Sequence, residues 1–278
     1  MEFAYSAGNA SSPVAFVSFG AMHTVFEMVL VHVEESHARS LAEKVEALVL
    51  GLDRKLNRHD EDSAFYRINA LSGNESTVVD DDVFSVLHLC EVFRKGTMGY
   101  FDISALSVVP VHPAYRLDPG PHSVSLCAEG VVLDAGGFGK GYALDRVRAF
   151  LSEHGVRDAL LNFGDSSVAA MGTHPFGDCW DVGIVSGGTP FRLKDMSLSV
   201  SGCRPDGQEH IFDPVAHRLS CGGGLVAVEG RSAFVCEALS TALYAAPPEE
   251  RNRIIREFED YRYKEIRQDI SSWIEENL

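Results

Sequence analysis

From residue 13 the chain reads PVAFVSFGAMHTVFEMVLVHV, a β-branched and aromatic run with room for two strands around a turn at Gly20 to Thr24. The period then changes. Leu41, Val45, Leu48, Leu52 and Leu56 recur at spacings of three and four, which predicts one helical face over 36–56. A second helix begins after the aspartates at 80–82, where negative charge suits a helix N-terminus, and runs through VFSVLHLCEVFRKG. A third spans 140–154 and closes at Gly155. Strand-like runs follow at DALLNF (158–163), DVGIV (181–185), MSLSVSG (196–202) and GLVAVEG (224–230). SAFVCEALSTALYAA (232–246) is a short apolar helix stopped by Pro247, and 249–278 reads as a charged, solvated helix. Strands and helices mix without strict alternation, and there is no repeat, low-complexity segment or composition break. The pattern predicts one α+β domain over 1–278.

Composition narrows the partners. With 45% hydrophobic and 23% charged residues, the 278-residue chain is ordinary for a soluble globular protein and long enough to bury a large core. A net charge of −16 argues against a nucleic-acid surface, which needs a basic stripe. A phosphate ligand would need its charge met locally, by a metal or by helix N-termini. Six cysteines, at 90, 127, 179, 203, 221 and 236, form no C-x-x-C pair and no zinc spacing, and read as scattered reduced thiols. No apolar run reaches the roughly 18 residues of a membrane span. No Lys or Arg precedes Arg39, so the basic region of a secretory signal is missing and the chain as written reads as cytoplasmic; a trimmed exported form would look the same.

The densest chemical signal is DAGGFGKGYALDRV, residues 134–147. A phosphate-cradling P-loop needs a glycine where Asp134 stands and a Ser or Thr where Gly141 stands. A dinucleotide fingerprint needs G-x-G-x-x-G, but Gly137, Gly139 and Gly141 are spaced by two. What remains is a strand ending at Leu133, a glycine turn and a helix from about Lys140, with glycines that let backbone approach a ligand closely. On the apolar helix 232–246, Glu237 and Thr241 are four apart and share one face. An ionised Glu237 there needs a partner, which an arginine would supply.

In chain order the sequence offers GAMHT (20–24), DSAFYRIN (62–69), GYFDIS (99–104), DAGGFGKGYALD (134–145), LNFGD (161–165), VSGCRPDGQEHIFDP (200–214) and CEALSTAL (236–243). Together these resemble the ApbE family of FAD:protein FMN transferases, over residues 20 to about 245. The resemblance implies a single mixed α/β domain with a largely antiparallel sheet flanked by helices. It implies a Mg²⁺-dependent enzyme that cleaves the FAD pyrophosphate and links FMN through a phosphoester to a threonine or serine of a target flavoprotein, releasing AMP. By the same resemblance the metal ligands are Glu237, Thr241 and the Gly137 carbonyl. Asp134 and Lys140 fall at positions that contact FAD. Met22, Tyr100, Phe101 and Asp102 match positions lining the flavin and adenine sites, and Ile211 packs against the cofactor. His210 sits close to the transferred phosphate, where a near-neutral pKa suits removal of the acceptor hydroxyl's proton.

The departures from the family pattern mark a divergent branch. The glycine after the methionine is His23, the tyrosine that stacks on the flavin is His59, and the metal aspartate is Glu237. The threonine and glycine that follow the Asp-Pro pair are Ala216 and His217. Two other activities use the same residues: an FAD pyrophosphatase with water as acceptor, and a non-catalytic FAD-binding protein.

Overall fold

The computed structural model describes residues 1–8, 12–184, 189–202, 211–220 and 224–266. The chain begins with β1 (Glu2–Ser6), β2 (Val14–Ala21) and β3 (Thr24–Val31), then α1 (Glu35–Leu56), α2 (Ala64–Asn69), β4 (Thr77–Val78) and α3 (Asp81–Gly96). It continues through β5 (Tyr115–Asp118), β6 (Ser123–Leu126), α4 (Gly139–Glu153), β7 (Asp158–Phe163), β8 (Ser167–Met171), β9 (Trp180–Val182) and β10 (Phe191–Leu193). The last elements are β11 (Ser197–Gly202), β12 (Phe212–Asp213), β13 (Arg218–Leu219), β14 (Leu225–Gly230), α5 (Ala233–Ala245), α6 (Pro248–Arg256) and β15 (Arg262–Ile266).

Eight strands form one sheet in the order β1-β2-β3-β7-β8-β11-β14-β15, with every neighbouring pair antiparallel. The expected α+β class, an antiparallel sheet flanked by helices, is what the chain adopts. Alternation decides which face is covered. Ala15, Val17, Phe19 and Ala21 of β2 and Phe26, Met28 and Leu30 of β3 are buried at period two, in one core with α1, α4 and the start of α5. Leu41, Val45, Leu52 and Leu56 present the buried stripe of α1 to that core, with Leu48 at its margin. Asp80 caps α3 by accepting from the Val83 N–H at 2.9 Å, as the aspartate cluster predicts. Beyond β8 and β11 the opposite face is closed by β9 and β10, whose Trp180 donates its indole N–H to the Met171 carbonyl at 3.0 Å.

Two expectations need correction. Of the run 181–185, Asp181 and Val182 belong to β9, which pairs with β10 outside the main sheet; Gly183 and Ile184 are not in a strand, and residue 185 lies outside the described residues. Within the tail expected to be helical from 249 to 278, the described residues are helical only in α6; β15 then pairs antiparallel with β14 at the edge of the sheet. The unmet ladder groups of β14 supply the reason, and an exposed edge tolerates the charges of RYKEI. Residues 267–278 lie outside the described residues. Cys90, Cys127, Cys179 and Cys236 are free thiols, as expected, and Cys203 and Cys221 lie outside the described residues. Among the described residues no helix is long and apolar enough to cross a membrane.

Candidate active site

The site is built around the start of α4 and the flank of α5. The stretch before α4, expected to be a strand ending at Leu133, is neither strand nor helix; the Asn69 side chain ties it down, donating to the Leu133 carbonyl at 2.9 Å and accepting from the Leu133 N–H at 2.8 Å. Asp134 then folds the glycine turn by accepting from the Gly136 N–H at 2.8 Å. Its other oxygen lies 2.6 Å from Arg58 Nε, off the N–H direction, so this contact is a charge pair in which the buried Nε finds no aligned acceptor. His59 follows Arg58 in the exposed turn after α1, where its own N–H donates to Asn57 Oδ1 at 3.0 Å.

Helices α4 and α5 cap each other. Ser232 is the N-cap of α5. Asp145, on α4, accepts from the Ser232 hydroxyl at 2.5 Å and from the Ala233 and Phe234 N–H groups at 2.9 and 3.0 Å. In return, Glu237 of α5 accepts from the Gly141 N–H at the start of α4 at 2.6 Å, where the positive end of the helix favours a carboxylate. The second Glu237 oxygen takes the Lys140 ammonium. The partner that the apolar helix demands is therefore present, and it is a lysine rather than the arginine weighed from the sequence. Ser240 anchors the far side of α5 to β11 through hydroxyl contacts with Ser201 at 2.9 Å and Ser199 at 3.1 Å.

Thr241 lies one turn beyond Glu237 and faces the glycine turn. A Cβ placed on Gly137 would come within 3.6 Å of both Thr241 Cγ2 and Phe101 Cε2, and 3.9 Å from Thr241 Oγ1. So Gly137, Glu237 and Thr241 share one locality, and Phe101 closes it from the core, 2% exposed. Their carbonyl, carboxylate and hydroxyl are hard oxygens of the kind Mg²⁺ accepts, and Mg²⁺ takes few ligands from protein. The donor set fits that ion. Among the described residues no group of three His, Cys, Asp or Glu gathers as an alternative.

The remaining candidates ring this locality unevenly. Met22 and His23 form the β2–β3 turn with φ of 48° and 60°. Met22 N–H donates to Asp53 Oδ2 at 2.8 Å, and its sulfur lies 3.7 Å from where a Gly139 Cβ would stand. Tyr100 is half-buried against the cluster that contains Ile211, Leu239 and Leu243. Burial first, then the Asp213 charge, raises the Tyr100 phenol above its ordinary range. Asp102 points inward, accepting from Arg94 Nε at 2.9 Å and from Ser104 N–H at 2.8 Å. Asp213 closes the Asp-Pro turn by accepting from Val215 and Ala216 N–H, both at 2.9 Å. His210 lies outside the described residues. Sequence reading missed Asp145, Asn69 and Arg58. The signal for Asp145 was a short acidic side chain in the middle of α4, away from that helix's own N-terminus, although its pairing with Arg148 at 2.8 Å gives it a local partner too.

Comparison with known proteins gives a consistent picture. The model of the ApbE family matches residues 22–263. The chain is 26% identical over 272 residues to the FAD:protein FMN transferase of Treponema pallidum (strain Nichols), covering 78% of this chain and 74% of that protein. It is 26% identical over 191 residues to the FAD:protein FMN transferase of Klebsiella pneumoniae (strain 342), covering 60% of this chain and 58% of that one. Among solved structures, the flavin transferase ApbE from Vibrio cholerae superposes with a TM-score of 0.78 at 16% identity over 92% of this chain and 97% of the other. The apo flavinyl transferase ApbE of Pseudomonas stutzeri gives 0.78 at 21% identity over 93% and 97%. At these identities the structures establish the fold.

Proposed function

We propose that this chain, which belongs to the ApbE family, is a Mg²⁺-dependent FAD:protein FMN transferase formed by one domain. The observation that carries the reading is the meeting of a buried Glu237, Thr241 one turn later, and the backbone of Gly137. The names of the two bacterial relatives support it.

In this reading Gly137, Glu237 and Thr241 hold the cation, whose charge offsets that of the FAD diphosphate. The protein's own task is positioning and charge stabilisation. Lys140 supplies a second positive charge at the start of α4, beside backbone N–H groups suited to phosphate oxygens. Met22, His59, Tyr100, Phe101, Asp102, Asp134 and Ile211 shape the walls for flavin and adenine, with Asp134 and Asp102 acting through the backbone they hold. A threonine or serine hydroxyl of the target flavoprotein attacks the FMN phosphorus. The new P–O bond forms as the bond to the AMP oxygen breaks, the hydroxyl proton passes to His210, and AMP leaves as its phosphate anion.

The test is purified protein with FAD and Mg²⁺, with and without a threonine-bearing acceptor domain, followed by AMP release and covalent acceptor fluorescence. The reading expects both signals with acceptor and neither in Glu237→Gln. AMP without covalent flavin identifies a pyrophosphatase. Flavin binding with neither signal identifies a binding protein.

A further inference from the structure

We propose that the Lys140 ammonium is the resident cation of the Glu237 carboxylate, and that a divalent ion binds by taking its place. The inference rests on the metal reading above, and concerns how that site is kept before the metal arrives. The Glu237 side chain is 4% exposed on a helix whose neighbours are apolar, where a carboxylate is costly without a cation beside it. Each of its oxygens already has one partner, Lys140 for one and the Gly141 N–H at 2.6 Å for the other, and keeps one further lone-pair site. An oxygen in contact with an ammonium cannot offer the same lone pair to a metal, and two cations on one buried carboxylate repel.

The two contacts differ in how easily they let go. The Gly141 N–H belongs to the α4 backbone and stays, which holds the carboxylate in orientation. Lys140 sits on a flexible four-carbon stem and is 22% exposed, so its ammonium has a route outward. It lies three residues after Gly137, so once released it stays at the mouth of the same site, where a diphosphate would bind. The metal-free protein thus keeps its buried charge neutralised, and metal binding carries the cost of displacing an internal competitor.

The test titrates Mn²⁺ by calorimetry, without flavin, into the parent, Lys140→Met, Lys140→Gln and Glu237→Gln. Removing the competitor should tighten Mn²⁺ binding by at least about tenfold in both Lys140 variants. Equal or weaker binding in those variants, with the parent still binding, overturns the exchange. No binding by the parent, or unchanged binding by Glu237→Gln, overturns the metal reading itself and the exchange with it. Unaltered protein provides a second measurement that does not depend on the variants folding. Pulse acetylation of Lys140, normalised to exposed Lys95, should rise several-fold with saturating Mn²⁺. Unchanged or reduced acetylation overturns the exchange.

Discussion

A Cβ built on Gly141 of α4 falls 2.3 Å from the Ala233 carbonyl oxygen of α5, well inside any tolerable contact. The two helices approach this closely only because position 141 has no side chain. Gly141→Ala must push them apart, stretching the Gly141–Glu237 hydrogen bond and the Lys140 pair with it. Overpacking of this kind costs about 1–3 kcal/mol, or a melting temperature lower by roughly 2–10 °C. Thermal denaturation checks it; an unchanged midpoint would show that the helices relax freely.

Asp145 gathers three donors at the N-terminus of α5. Asp145→Ala leaves them without that acceptor and should cost about 1–3 kcal/mol. Asp145→Asn keeps one carbonyl oxygen and should lose less. Urea unfolding of the pair reads the order, and an Ala variant as stable as the Asn variant would remove the capping account.

Both family glycines replaced by histidine occupy left-handed backbone: His23 has φ 60° and His217 has φ 51°. This conformation is costly for side chains other than Asn, Asp and His, and open to glycine. His23→Gly should therefore exceed His23→Ala in stability by about 1 kcal/mol, with the same order at position 217. Equal stabilities would mean that the turn adjusts its backbone.

Asp82 joins α3 to α1 and α4 through Lys55 and Arg146. Burial by itself would raise its pKa; the Arg146 and Lys55 contacts outweigh that and hold the carboxyl below the usual range. The folded value is below the unfolded one, so the contribution is present above the ordinary Asp range, near about 3.9, and is lost as pH falls through the folded value. Asp82→Asn should be less stable than the parent at neutral pH, and the gap should close in acid. A gap that persists at low pH would assign the loss to packing. Chemical denaturation at several pH values separates the two.

The stripe Leu41, Val45, Leu52 and Leu56, the alternation through β2 and β3, and the Asp80 cap are all legible in sequence because each depends on residues close in the chain. So is the demand that Glu237 have a partner, since an apolar helix offers its charge none. Which cation answers that demand is a contact across 97 positions, set by how closely Gly141 lets α4 approach α5. The use of Asp145 as the cap of another helix, and of 262–266 as an edge strand, has the same origin. The sequence by itself determined α1, α3, α4 and α5, the paired strands β2 and β3, the order of the motifs and the need for a partner at Glu237. Tertiary structure alone decided the pairings, because hydrogen bonds and ion pairs between distant segments depend on distances that local pattern does not encode.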